Sequence, residues 1–242
     1  MTSILAACKL GNWRVLVRIP LFFTNPMNGE SYLEVPVHGT LMMIGFLAAF
    51  LLLRRLAKRD GISQKIVSDL LMVCMLSGVL GARIFFAIQN GLPAREWVKV
   101  WHGGLVWYDG LFGAMIFGAL FLWIAKLTNR PAPIAKIMDA AAPATMLGLV
   151  FGRIGCFLNG CCWGGPVEGD PWWAVRYINV KGGPEAGHQN VLDAADLYSV
   201  PLHPAQLYSA TLVLVICLVL LYARRWRKVY GEQILLMFVL YA

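Results

Sequence analysis

Charge is what this chain has little of. Only 14% of its 242 residues are charged, while 59% are hydrophobic, against about one quarter charged in soluble domains. An ordinary water-soluble domain is therefore excluded and a membrane setting indicated. A regular cysteine framework is also missing. The six cysteines are Cys8, Cys74, Cys156, Cys161, Cys162 and Cys217, and they do not pattern as a small secreted disulfide scaffold. Cys74 and Cys217 fall inside apolar runs, where a thiol behaves as a small hydrophobe. No histidine or fourth thiol at usual metal-ligand spacing accompanies Cys156, Cys161 and Cys162. A closed zinc site is thus not expected, nor is any other metal or cofactor. Internal repeats are absent too, which counts against a transporter built from duplicated halves.

What is present is a series of long apolar runs separated by basic clusters. The net charge of +8 sits largely in Arg54, Arg55, Lys58, Arg59 and Lys65, in Lys126, Arg130 and Lys136, and in Arg224, Arg225, Arg227 and Lys228. Short basic loops between apolar runs mark cytoplasmic sides, so the charge is read as topology and no nucleic acid is expected as a partner. Runs over 37–53, 66–88, 105–127, 137–158 and 205–222, with a sixth beginning near Gln233, predict an all-α, polytopic integral membrane protein of six to seven transmembrane helices. Residues 1–36 are expected to form an external or interfacial segment, since Lys9, Arg14 and Arg18 are spread among apolar positions rather than preceding a cleavable signal. Residues 37–242 then form the transmembrane domain. A small irregular head is inserted at about 160–202, where glycines and prolines alternate with Trp172, Trp173 and Tyr177. The last run reaches only Ala242, which predicts a C-terminally truncated span.

Polar groups gather where these runs end. Arg153 and Asn159 lie in a string with Gly152, Gly155, Gly160 and Gly164. An arginine at a helix end can hold a phosphate bidentately, or can be structural and snorkel to the interface. Asp139 lies near the opposite end of the same run, too far along the helix to pair with Arg153. Arg83 is a second arginine in an apolar run, and two arginines around one cavity would suit an anionic lipid headgroup. His102, Tyr108 and Asp109 open the third run, and His203, Gln206 and Tyr208 the fifth, with Pro204 suited to a first helical turn. His38 stands at the outer end of the first run. Histidines at such positions can act as bases near neutral pH.

These residues carry a resemblance. Gly152-Arg153-Ile154-Gly155, Asn159-Gly160, Trp163-Gly164, His203-Pro204-Ala205-Gln206-Leu207-Tyr208 and Gly81-Ala82-Arg83-Ile84 are similar to motifs of bacterial prolipoprotein diacylglyceryl transferases. Trp101, Gly103, Gly104, Gly110 and Gly113, then Asp139 and Pro143, follow in the family's order. The resemblance runs from about Val37 to the last residue. It implies a multi-pass enzyme of the bacterial inner membrane, with its N-terminus and main loop on the external side. Its partners would be phosphatidylglycerol, other membrane lipids and the lipobox of preprolipoprotein signal peptides. The reaction would move the diacylglyceryl group to the lipobox cysteine thiol, forming a thioether and releasing glycerol phosphate. Arg153, His203, Tyr108 and His38 become the catalytic candidates. Arg83, Asn159, Gly160, Gln206, Tyr208 and Asp139 become the substrate-binding candidates.

The chain also departs from that pattern. Tyr108 stands where many members have a histidine, and Asp109 where glycine is common. His38 stands where a tyrosine is frequent. Cys156 replaces an asparagine, and Cys161 and Ser209 replace glutamates. A family arginine expected soon after a pair like Tyr241-Ala242 falls beyond the last residue. These departures leave an alternative open, a phospholipid-binding relative that is non-catalytic or altered in specificity. A helical scaffold with incidental polar edges is the bland reading.

Overall fold

The computed structural model describes residues 8–10, 15–20, 32–97, 107–128, 133–177 and 199–242. Among them six α-helices dominate: α1 (Val37–Arg59), α2 (Gln64–Gln89), α3 (Trp107–Leu127), α4 (Ile134–Asn159), α5 (Ala205–Ala223) and α6 (Glu232–Tyr241). Among the described residues four short strands form two two-stranded sheets. Strands β1 (Cys8–Leu10) and β4 (Val175–Tyr177) pair in parallel, and β2 (Val15–Pro20) and β3 (Tyr32–Pro36) antiparallel.

Among the described residues, four helices are long and apolar enough to cross a membrane: Val37–Arg59, Gln64–Gln89, Ile134–Asn159 and Ala205–Trp226. This corrects the expected six to seven spans: the two further apolar helical stretches among the described residues, Phe112–Leu127 and Glu232–Tyr241, are shorter, rising ~24 Å and ~15 Å against ~30 Å of hydrocarbon. The helices display large apolar side chains outward, among them Met43, Leu51, Leu76, Ile116, Leu218 and Phe238. In water so much exposed apolar surface is costly; in lipid it is the expected exterior.

The chain divides into two compact units. Unit 1 comprises Met1–Ala49, Pro143–Tyr222 and Leu240–Ala242; unit 2 comprises Phe50–Ala142 and Ala223–Val239. In unit 2, α2 and α3 pack through small residues. A Cβ placed on Gly113 would lie 2.6 Å from the Ser77 carbonyl oxygen, so the two backbones meet without side chains between them.

A buried charge network in unit 2 sets the start of α6. Asp139, 0% exposed, accepts from the backbone N–H groups of Gly231 at 2.9 Å, Gln233 at 3.1 Å and Ile234 at 3.3 Å, and from Arg227 Nη1 at 3.4 Å. It thereby caps orphan donors that every helix start leaves open. Asp60 accepts from Arg224 and Arg227. Pro143 has no N–H to give the Asp139 carbonyl one helical turn earlier, and Arg224 Nη1 takes that oxygen instead at 3.2 Å. Burial alone would lower the Arg227 pKa, but hydrogen bonding and charge from Asp60, with Asp139 behind it, hold it above its ordinary value.

Candidate functional site

The site in unit 1 begins with the way α4 stops. Gly160 adopts φ +69°, which glycine reaches without the Cβ penalty other residues meet. The Gly160 N–H donates to the Phe157 carbonyl at 3.3 Å, and the Cys161 N–H reaches back to Cys156 at 3.1 Å. These two bonds close a Schellman turn with Asn159 as the last half-helical residue. Such a turn brings the third residue before its cap against the residue directly after the glycine, here Cys156 against Cys161. Cys162 follows at φ +60°, a left-handed conformation rare for a residue with a side chain. The three sulfurs consequently lie within 4.8 Å of one another.

The string that opens α5 is fastened to this turn. The Gly164 N–H donates to the His203 carbonyl at 3.2 Å, and the His203 N–H returns to Gly165 at 3.0 Å. A Cβ on Gly164 would stand 2.7 Å from both the Cβ and the carbonyl oxygen of His203, so the approach requires glycine. Gln206 Nε2 donates to the Cys161 carbonyl at 2.8 Å. Below this clasp Val175, Tyr177 and Leu202 form a small buried core with Phe157, Trp163 and Val200 against it. This packed centre draws on α4 through Phe157 as well as on residues 163–177 and 200–202. Burial pushes the Tyr177 phenol well above its ordinary pKa, with the Gln206 amide pulling the other way. His203 stacks on Trp173 with centroids 5.0 Å apart, and its Nδ1 lies 3.5 Å from the Tyr208 hydroxyl.

Arg153 Nε and His38 Nδ1, like Tyr177 Oη and Gln206 Oε1 in the same unit, are sheltered from solvent without a hydrogen-bond partner among the described residues. His38 faces α4 at Gly155, where an added Cβ would lie 2.9 Å from Nδ1. Arg153 is two residues earlier on the same helix. Buried polar atoms are almost always paired, so each exception asks for an explanation. The charge of His38 reaches Cys161, and that of Arg153 reaches Cys162. Hydrogen bonding from Cys156 lowers the Cys161 thiol to about 6 against the opposing effect of burial, with Asn159 and Cys162 adding further hydrogen bonds. Burial pushes the Cys162 thiol up.

The structure thus brings Arg153, Asn159, Gly160, His38, His203, Gln206 and Tyr208 into one unit. Arg83 and Asp139 belong to unit 2. Arg83 is 2% exposed and lies 5.6 Å from the centroid of the Phe86 ring, a cation–π distance. Asp139 has its carboxylate occupied by the α6 donors described above. Tyr108 lies in the first turn of α3, also in unit 2, and His102 lies outside the described residues. Sequence reasoning did not foresee the convergence of the three thiols or the stacking of Trp173 on His203. The first was signalled by a glycine four residues after Cys156 and directly before Cys161. The second carried no local signal.

Four apolar spans, an outward apolar surface and a half-buried arginine near a helix end define a multi-pass membrane protein with a polar site at the terminus of one span. The chain belongs to the prolipoprotein diacylglyceryl transferase family, which it matches over residues 29–242. A relative from Stenotrophomonas maltophilia is 34% identical over 230 residues, covering 86% of this chain and 74% of its own length. One from Thermotoga petrophila is 28% identical over 258 residues, covering 100% of this chain and 83% of its own. One from Clostridium tetani is 27% identical over 212 residues, covering 86% and 77%. All three are named phosphatidylglycerol–prolipoprotein diacylglyceryl transferase. Family membership makes transfer of a diacylglyceryl group the general reaction of this chain.

Proposed function

We propose that this protein transfers the diacylglyceryl group of phosphatidylglycerol to the lipobox cysteine of preprolipoproteins, at the external face of a bacterial inner membrane. One observation carries the reading: Arg153 Nε and His38 Nδ1 are sheltered and unpartnered among the described residues, at the end of the helix that bears the family signature. A planar guanidinium with donors to spare is suited to a phosphodiester, and charge-assisted bonds of this kind are among the strongest available. As the phosphate departs, Arg153 stabilises the growing negative charge in a site shielded from water. His38 accepts the proton of the incoming thiol, whose ordinary pKa near 8.5 makes this a small task for an imidazole. The sulfur then bonds to the terminal glycerol carbon, the carbon–oxygen bond to phosphate breaks, and glycerol phosphate leaves.

Asn159, Gly160 and Gln206 shape the turn that presents these groups, and His203 and Tyr208 line its α5 side. The basic residues at the end of α1 support a cytoplasmic setting for that end and an external one for His38. The relatives' shared name supports the donor and acceptor. Tyr108 in place of the family histidine, and Cys161 in place of a glutamate, favour the second reading, a lipid-binding relative that does not turn over. Incubating the purified chain in nanodiscs with phosphatidylglycerol and a lipobox peptide separates the two. A peptide heavier by one diacylglyceryl unit, with matching release of glycerol phosphate, is the expected result. Lipid that binds and is never consumed would leave only the second reading.

A further inference from the structure

We propose that Cys156, Cys161 and Cys162 form an open three-thiolate site for a zinc-class metal ion, whose fourth position receives the acceptor thiol. The inference rests on the transfer reaction proposed above and deepens it.

Geometry carries the site. The Schellman turn sets Cys156 against Cys161, and the left-handed backbone at Cys162 returns the third sulfur to the other two. With all three sulfurs inside 4.8 Å of one another, small side-chain adjustments reach the ~3.8 Å separations that tetrahedral zinc imposes at metal–sulfur bonds of about 2.3 Å. Thiolate sulfur selects soft or borderline ions such as zinc over magnesium or calcium. Closed structural sites supply four protein ligands, whereas sites that work on a substrate supply three and leave one position open. The expectation of no metal drawn from sequence spacing tested only the four-ligand pattern. Cys162 is exposed while Cys156 and Cys161 are half-buried, so an ion and a peptide thiol both have a path in. Three thiolates around a divalent cation carry one net negative charge, and the Arg153 guanidinium is near enough for its charge to reach Cys162.

The site explains a chemical need. A thiol bound to a metal is deprotonated outright, so the acceptor arrives as a nucleophile, its proton passing to His38. The bound sulfur forms the new bond to glycerol carbon, and the electron pair of the broken carbon–oxygen bond leaves on phosphate toward Arg153. The metal keeps its oxidation state throughout. The product thioether is neutral and a poorer ligand, so it departs.

Cobalt(II) is the probe, because its visible absorption reports tetrahedral sulfur coordination clear of protein bands. The full chain in detergent, reduced and freed of metal, is titrated with Co2+ alone. One ion per chain with an intense tetrahedral spectrum is expected, displaced by Zn2+ and weakened at least tenfold by Cys161→Ser or Cys162→Ser. Cys74→Ser and Cys217→Ser should leave it unchanged. Adding lipobox peptide should shift the spectrum, and a peptide with serine for its cysteine should not. Absence of stoichiometric Co2+ binding, or binding indifferent to Cys161→Ser and Cys162→Ser together, overturns the site. A Co2+ spectrum that the peptide never changes overturns the open position. The wild-type titration needs no variant to fold. Undiminished transfer by protein proven metal-free would sink the inference while leaving the transferase standing. A metal spectrum that responds to peptide with no transfer would do the reverse.

Discussion

Two polar clusters of this molecule, one in each unit, treat their sheltered polar groups in opposite ways. Around Asp139 and Asp60 in unit 2, carboxylates meet backbone N–H groups and the guanidinium groups of Arg224 and Arg227. Every lone pair so engaged is tied to the seating of α6. At the end of α4 in unit 1, Arg153 and His38 each keep a sheltered nitrogen with no hydrogen-bond partner among the described residues. The backbone around them is held tightly by the α5 clasp. A saturated charge holds a fold; an unsaturated one on a rigid frame is kept for something that binds. The difference separates Asp139 from Arg153, although both are charges in the same apolar helix.

The largest effect should come from breaking the saturated cluster. Asp139→Ala strands the α6 donors and Arg227, and removing one partner of a buried pair costs about 3–5 kcal/mol. Thermal unfolding in detergent should show the loss, without a specific effect on lipid affinity in whatever remains folded. The opposite signature is expected at the open cluster. His38→Gln should slow transfer about 100-fold, the low end of what a positioned base contributes, while the unfolding midpoint hardly moves. A midpoint shift as large as that of Asp139→Ala would erase the distinction.

How far these two clusters could be told apart in advance is instructive. The apolar runs at 37–53, 66–88, 137–158 and 205–222 announced the four spans, because hydrocarbon imposes one simple requirement along the chain. The runs ending at Leu127 and Ala242 were counted as spans on apolar composition, and among the described residues their apolar helical stretches are shorter than a span. Arg153, Asn159 and the His203–Tyr208 string were recognisable as a motif. That Asp139 caps α6 was not, since its partners lie some ninety residues later and act through backbone N–H groups that have no sequence identity. The thiol cluster was half visible: Gly160 signals a helix end, but only the left-handed Cys162 completes the triangle.

The frame can be loosened more gently. Gly164→Ala forces a methyl into His203 and should cost about 1–3 kcal/mol, the usual range for overpacking, lowering transfer through displacement of the α5 clasp. Smallest of all is a difference in reactivity between neighbouring thiols. With its pKa lowered to about 6, Cys161 in metal-free protein should be mostly thiolate at neutral pH, and its alkylation by iodoacetamide should fall as the pH drops through 6. Cys162, pushed upward by burial, should react appreciably only under alkaline conditions. Equal rates at neutral pH, read by peptide mass, would remove the asymmetry.

The most direct test of the account is Arg153→Lys, assayed for phosphatidylglycerol affinity and for diacylglyceryl transfer on protein shown to be folded. A lysine keeps the charge and loses the planar fork. Weakened lipid binding and transfer reduced about 100- to 1,000-fold, the range seen when one charge-stabilising donor is lost, is the predicted result. Full transfer with unchanged affinity would mean that the open nitrogen of Arg153 is not held for the lipid phosphate.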